Sequence, residues 1–396
     1  MSLLPSIDHV TGKATFSHFL LMFGYKLFSL YFPLFLLSKG LAFHQIGYSY
    51  LLIYLPIVFF APIVGFLNYK FKPVFLIVLG IIGYAIYSLG MIYMSSSSSV
   101  FYFMQVLLGI SAALFFVSHK GILIGARFEK PARSFGWFYS APYYASEFAP
   151  LIGAVLIWRF GFTGVFAASF IIHILNIVLS FFFFRTNSIL FHSAINLNYS
   201  IKEFLNLSKL IFGKNTLPFI ATSLAVLLVG GFYQAFFVIF LKSIGWSQNT
   251  ILIFAATLSA IFVPISIYGI SFVSKIGSNV FKGSLIFAIG SILFGIFGSG
   301  IGFMGILILM EMMELGGFIT NTIRSGILSK TFAKDSSETA AIDTIFSPLG
   351  TAMGAMLGGL LIGILGFPLL FGLGGIIVLL VSFWAKILFS KQETSL

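Results

Sequence analysis

Four ionisable side chains are notable inside long apolar stretches: Lys26, Glu147, Glu311 and Glu314. A charge near the centre of an apolar helix in lipid costs at least ~2.5–3.5 kcal/mol, so such a residue is a functional candidate by default. Carboxylates there can do one kind of chemistry well. Burial in general favours the protonated acid, while a nearby ammonium favours the carboxylate. That competition lets protonation follow a change in exposure, which is the physical basis of proton coupling. Asn321 and Asp343, together with Gln105 and Gln234, complete the polar candidates for proton handling or solute binding.

Positioning these groups requires membrane helices. The chain is 59% hydrophobic and only 8% charged, against roughly 45–50% and 25% in an ordinary soluble domain. So little charge cannot keep a globule of this size in water, and the solvent implied is lipid. A helix needs about 20 apolar residues to cross roughly 30 Å of hydrocarbon. Twelve stretches meet that length: 15–37, 45–66, 73–94, 100–120, 136–158, 164–184, 216–241, 249–270, 280–300, 303–327, 340–363 and 368–389. They are too long and too little alternating for barrel strands. The expected fold class is therefore an all-α integral membrane protein. Residues 1–14 lack the features of a signal peptide, so the first apolar run is expected to remain.

With an even number of spans both termini share a side. All but four of the 22 basic residues then fall on that side; Lys39, Arg159 and Lys242 lie in opposite loops and Lys26 within a span. By the positive-inside rule both termini are cytoplasmic. The formal charge of +12 is thereby a topology signal, and no nucleic-acid partner is expected. His119 and Lys120, at the cytoplasmic end of the fourth span, are read as serving topology. The absence of cysteine excludes disulfides and cysteine–metal sites. No phosphate-binding loop, zinc-type His cluster or nucleophile elbow is present. An enzyme is not expected, nor a cofactor or a metal site.

The longest loop, 185–215, separates the spans into six and six. Its segment SIKEFLNLSKLIFGK has apolar residues at helical spacing between lysines, which predicts a short amphipathic helix on the cytoplasmic face. The expected units are a six-helix bundle over 1–184, this linker over 185–215, and a second bundle over 216–396. The halves also echo one another. Lys39, Phe43 and Gln45 match Lys242, Trp246 and Gln248 at an offset of 203, and Pro62 matches Pro264. Ala149-Pro150-Leu151 matches Ser347-Pro348-Leu349. Parallel six-helix repeats of this kind occur in one large class of transporters.

On these residues the chain resembles the major facilitator superfamily over essentially its full length. The family's loop after helix 2 usually reads G-x-L-A-D-R-x-G-R-R. Here Gly65-Phe66-Leu67-Asn68-Tyr69-Lys70-Phe71-Lys72-Pro73 keeps Gly65, Leu67 and Lys70 but puts Tyr69 where the family has Asp. The pseudo-equivalent loop, Val273-Ser274-Lys275-Ile276-Gly277, is again basic and again lacks the acid. The resemblance implies that this Asp would help to latch the cytoplasmic side, so the latch must differ here. The family's helix 4 motif, R-x-x-x-G, is represented by Gln105 and Gly109. Its helix 5 motif, G-x-x-x-G-P-x-x-G-G, is represented by Ala145, Ala149, Pro150, Gly153 and Ala154. Gly65, Lys70, Ala149, Pro150, Gly153 and Lys275 are the residues to which the resemblance attaches conformational roles.

Spacing gives these helices faces. Ala145, Ala149 and Gly153 form a small-residue stripe suited to close helix contact. Glu147 lies about 200° round the helix from Ala145 and from Ala149. It points to lipid or to the interior of its own half, and a carboxylate avoids lipid. Lys26 and Glu147 each lie about 16 Å from the cytoplasmic end of their spans, and Glu314 sits near the middle of its own. Glu314, Asn321 and Ser325 form a polar stripe that would line a cavity. Asp343 lies near the cytoplasmic end of its span, where water can reach, and Glu311 is read as a water-accessible mouth residue. Alternatives stay open: Lys26 could neutralise one acid with no part in transport, and Glu147 could be a protonated structural group beside Pro150. His18 and His173 read equally as packing and as ligands, and Gly350, Gly354 and Gly358 as a packing stripe.

The function expected is secondary active transport of a small organic solute by alternating access, coupled to protons, with a slight lean towards efflux of cationic or amphipathic compounds. Uptake symport of a nutrient or metabolite is the alternative within that class. A sensor or assembly partner that keeps the fold without pumping is the alternative outside it. The expected setting is the lipid bilayer of the cell membrane, as a multi-pass monomer.

Overall fold

Every stretch expected to cross the membrane is helical over almost its whole length in the computed structural model, which describes residues 6–93, 99–185, 206, 209, 213, 216–276, 280–332 and 334–393. Among the described residues ten helical stretches are long and apolar enough to span. Two of them, Pro131–Phe184 with 54 residues and Ser336–Glu393 with 58, are each bent at a glycine and supply two spans apiece. Twelve spans result. We label them α1 (His9–Ser38), α2 (Phe43–Lys70), α3 (Pro73–Ile92), α4 (Ser99–Gly125), α5 (131–160), α6 (162–184), α7 (Leu217–Ser243), α8 (Gln248–Ile276), α9 (Val280–Phe297), α10 (Gly302–Thr331), α11 (336–365) and α12 (367–393). The expected linker, 185–215, and its amphipathic helix fall outside the described residues apart from Arg185 and positions 206, 209 and 213.

Local chemistry sets several boundaries. Asp8 caps α1, its carboxylate accepting from the Thr11 backbone N–H at 2.8 Å and so satisfying an orphan donor. Pro73 and Pro131 open α3 and α5, where a missing N–H costs nothing. α1 breaks at Leu30–Tyr31 and restarts at Phe32 with Pro33 in its first turn. The two interhelix bends occur at Gly161 (φ 65°, ψ −169°) and Gly366 (φ 73°, ψ 169°), a backbone region open essentially to glycine alone.

The repeat expected from sequence recurs in three dimensions. The bends at Gly161 and Gly366 are 205 residues apart, as are the left-handed glycines Gly40 and Gly245. Packing repeats too. A Cβ on Gly153 would lie 1.8 Å from the Leu27 carbonyl oxygen, and one on Gly354 would lie 1.9 Å from that of Leu228. Both glycine–leucine pairs are related by the same shift of 201 residues, so α5 meets α1 as α11 meets α7. Ala145 and Ala149 are fully buried on the same stripe, and Gly350 and Gly358 abut Leu227 and Phe236 on α7. Both small-residue stripes are packing surfaces, as expected.

The two halves, α1–α6 and α7–α12, meet along a few helices. α2 and α4 pack on α11, and α5 packs on α8 and α10. At the end where the termini lie, close approaches join them: Gly65 on α2 abuts Ala341 and the Ser337 carbonyl on α11, and Gly326 on α10 abuts Ala132 on α5. We call this end the termini face.

Candidate functional site

Between the halves lies a cavity of ≈ 430 Å³. Its first-half wall comes from Tyr25, Lys26 and Ser29 on α1, Tyr50 on α2, and Pro142, Tyr143, Ser146 and Pro150 on α5. The second half supplies α7 from Val226 to Leu241, α8 from Ile251 to Phe262, and Met310, Met313, Glu314, Gly317 and Asn321 on α10. Along α7 and α8 the lining runs towards the face opposite the termini. On the other side it stops at Asn321 on α10 and Ser347 on α11.

Among the described residues that line this cavity two side chains are charged, and they come from opposite halves. Lys26 and Glu314 lie close enough to interact electrostatically. They do not touch: the ion pairs among the described residues are Lys120–Asp343 and Arg324–Asp343. Glu314 is tied to the first half by Tyr143, whose hydroxyl donates to Oε2 at 3.0 Å. Gln234 on α7 donates to the Tyr54 hydroxyl on α2, a second tie between halves beside the cavity. The cavity thus presents one charge of each sign beside an aromatic wall.

Below the floor the chain of contacts continues. Asn321 Oδ1 accepts from Arg324 Nη1 and from the Ser223 hydroxyl, each at 3.0 Å. Arg324 pairs with Asp343 Oδ1 at 3.1 Å through Nη2. Asp343 Oδ2 takes Lys120 Nζ of the first half at 2.8 Å and the Tyr139 hydroxyl at 3.1 Å. Ser325 donates to Asp343 Oδ1 at 2.8 Å. Lys120 and Arg324 thus share the single carboxylate of Asp343, and three hydroxyls complete the cluster that closes the termini face; each cation has the opposite charge beside it that a buried ion requires.

The sequence candidates divide on this geometry. Lys26, Glu314, Asn321 and Gln234 line the cavity. Ser325 continues the α10 stripe below the floor into the ion cluster. Asp343 is 1% exposed and sits in that cluster below the cavity, so the water access expected near the end of its span is not found. Lys120, expected to serve topology, is buried for the same reason: Asp343 from the other half compensates it. Gln105 is buried inside the first half, accepting from the Tyr87 hydroxyl at 3.3 Å. Glu311 is half-buried with both carboxylate oxygens occluded and lacks the open position expected of a mouth residue. His18 is a packing histidine, its Nδ1 2.8 Å from the Phe138 carbonyl oxygen.

Glu147 does not line the cavity. It shares a stripe with Gly136, Ser140 and Tyr143, spaced four, three and four residues apart on one face of α5. That face meets α8: Gly136 abuts Ile270, and the Tyr143 ring lies 4.2 Å from that of Phe262. Glu147 therefore lies on the face of α5 that forms the seam with α8, half-buried, with Oε2 occluded and without a partner among the described residues. The choice between lipid and its own half omitted this third surface, which exists only once the second half is docked.

A family model described as the Major Facilitator Superfamily matches residues 14–341. The chain belongs to the major facilitator superfamily. It is a membrane transporter by family rather than an enzyme. Among solved structures, the human organic anion transporter MFSD10 (TETRAN) is similar with a TM-score of 0.71 and 14% identity, covering 95% of this chain and 99% of that one. A bacterial homologue of the iron transporter ferroportin, solved in an outward-facing state, is similar with a TM-score of 0.70 and 12% identity, covering 97% and 99%. At such identities the likeness concerns the fold. No curated protein matches the chain in sequence.

Superfamily membership makes the departure at Tyr69 informative. In place of the expected Asp, the Tyr69 hydroxyl donates to the Glu338 carboxylate in the first turn of α11. The tie between halves survives with its polarity reversed: the acid sits on α11 and the donor on α2. Beside it Asn68 is buried and accepts from Ser118 of α4 at 3.0 Å. Lys70 lies over the Phe66 ring, 5.0 Å from its centroid. Gly65 makes the close α2–α11 contact given above, and Ala149 and Gly153 pack on α1. Pro150 lies next to that stripe and also reaches the cavity. Lys275 falls in the last turns of α8, its side chain outside the described residues. Sequence reasoning missed Arg324, Tyr139 and Tyr143. Arg324 was counted with the basic end groups, and the signal available was Asp343 within a span, since such a carboxylate demands a buried cation.

Proposed function

We propose that the protein is a proton-coupled secondary transporter of a small organic solute, working by rocking of the two six-helix halves. The observation that carries this reading is the opposition of Lys26 and Glu314 across one cavity, from different halves, without a direct ion pair. Glu314 is the coupling group in this proposal. It faces Lys26 from α1, Tyr143 from α5 and Glu311 from its own helix. A carboxylate so placed changes its proton affinity when rocking alters its distance to the ammonium and to water. Lys120–Asp343 and Tyr69–Glu338 close the termini face in the state described.

The basic termini face is the cytoplasmic one in this proposal, so the closed end faces inward and the cavity extends outward, in a cell-membrane monomer. The units that rock are residues 1–184 and 216–396, joined by 185–215. The expected lean towards cationic efflux substrates would need more acids than bases in the cavity. With Glu147 in the seam the lining holds one of each, and that support is gone. The sensor alternative is set aside in this proposal because Tyr69 donates to Glu338 between the halves, where the loop lacks the family's acid. Neither organic anions nor iron are carried over from the similar structures. For iron, no group of three or more His, Asp or Glu side chains close enough to hold a metal occurs among the described residues.

The test uses proteoliposomes and a broad solute panel. A pH gradient is expected to drive movement of at least one solute, and Glu314→Gln to abolish that coupling in a folded protein. Coupled movement by Glu314→Gln with an unchanged pH profile would remove Glu314 from the mechanism. If no solute moves under any gradient, the transport reading fails.

A further inference from the structure

We infer that the cavity is built for a dipolar solute, one carrying a cationic and an anionic group on a partly apolar skeleton. This rests on the transporter reading and concerns the same site. Lys26 has no hydrogen bond or ion pair among the described residues, lines the cavity, and its ammonium is not occluded by protein. Glu314 spends one oxygen on Tyr143, and its other oxygen has no partner among the described residues yet is not occluded by protein. Each group is thus half of an unfinished interaction. A solute with a single charge completes one half and leaves the other ion desolvated beside it, which is costly. A solute with both charges completes both.

Size and wall chemistry fit this class. A volume of ≈ 430 Å³ lies at the small end of ligand cavities. Tyr25, Tyr50, Phe237, Phe254 and Phe262 offer aromatic faces to an apolar substituent. The location of the two charges also gives the dipole a mechanical consequence. Lys26 is on α1 and Glu314 on α10, so an anionic group held by one and a cationic group held by the other would bridge the halves. A bridging solute stabilises the form in which the halves are drawn together about it, whereas a monopolar solute is held by one half only.

Binding to the purified protein in lipid nanodiscs, measured by calorimetry, tests this with three matched sets. These are phenylalanine, phenethylamine and 3-phenylpropionate; leucine, isoamylamine and 4-methylpentanoate; and tryptophan, tryptamine and 3-indolepropionate. In at least one set the dipolar member should bind about tenfold or more tighter than both monopolar members. Lys26→Met should bring that member level with its amine, and Glu314→Gln should bring it level with its acid. A purely structural role would weaken all three alike. The inference is overturned if a monopolar member is the tightest binder of every set, or if no dipolar member binds at millimolar concentration. The wild-type ranking decides this even if a variant does not fold. Dipolar binding without gradient-driven movement sinks the transport reading and leaves this one standing. Preferential movement of a monopolar solute does the reverse.

Discussion

Lys120 of α4 and Asp343 of α11 meet at 2.8 Å, both almost fully buried, and so join the two halves of the molecule beneath the cavity floor. Arg324 holds the other oxygen of Asp343, and through Asn321 the same network reaches the cavity itself. Whatever opens the termini face must separate Lys120 from Asp343, while Arg324 keeps the carboxylate neutralised within its own half.

The chain has no cysteine, and Ser337 is fully buried at the α2–α11 contact with its hydroxyl unpartnered among the described residues. Ser337→Cys is therefore a quiet reporter of opening. Adding Lys120→Met should raise its rate of maleimide labelling about tenfold, the factor corresponding to ~1.4 kcal/mol. An unchanged rate would mean that packing alone holds this face shut.

Tyr69→Phe removes a hydrogen bond to a carboxylate, worth about 1.5–3 kcal/mol. In the same reporter background labelling should again rise, with helix content by circular dichroism unchanged. Both ties break in one opening, so combining Tyr69→Phe with Lys120→Met should add the two effects in free energy. Two independent openings would instead leave the larger single effect unincreased.

Gly153→Ala and Gly354→Ala force a Cβ to within 1.8 and 1.9 Å of the Leu27 and Leu228 carbonyl oxygens. Each should destabilise by about 1–3 kcal/mol as overpacking does, read as a lowered thermal midpoint in detergent. Gly230→Ala is the control: it faces the cavity, and nothing lies within 4 Å of its added Cβ. Equal losses at all three positions would contradict the packing described.

Glu147→Gln should leave gradient-driven transport intact where Glu314→Gln abolishes it. The seam position also predicts stability that is unchanged or raised by up to about 1 kcal/mol, because an occluded oxygen without a partner is a liability to the fold. Loss of transport in a folded Glu147→Gln protein would return this residue to the mechanism.

Much of the fold was legible before any coordinates. Apolar runs long enough to span lipid leave little choice of secondary structure, because an unpaired backbone group in hydrocarbon is too costly. The glycine stripes on α5 and α11 and the repeat follow from local spacing. The site was legible only in part. Lys26 and Glu314 were found because a charge in a span has to be explained, and Asn321 because it shares the Glu314 stripe. Glu147 satisfied the same rule and led elsewhere, since an occluded carboxylate at a seam and one in a cavity have the same sequence signature.

Sequence alone determined which residues lie in the membrane, which end carries the basic charge and which few groups are too polar to be there without cause. These are properties of one helix in one solvent. Tertiary structure decided what each polar group faces, because a face acquires its neighbour only when a segment some 200 residues away docks against it. Tyr143 and Glu147 are four residues apart on one face of α5. The first reaches Glu314 of the other half, and the second is left half-buried at the seam.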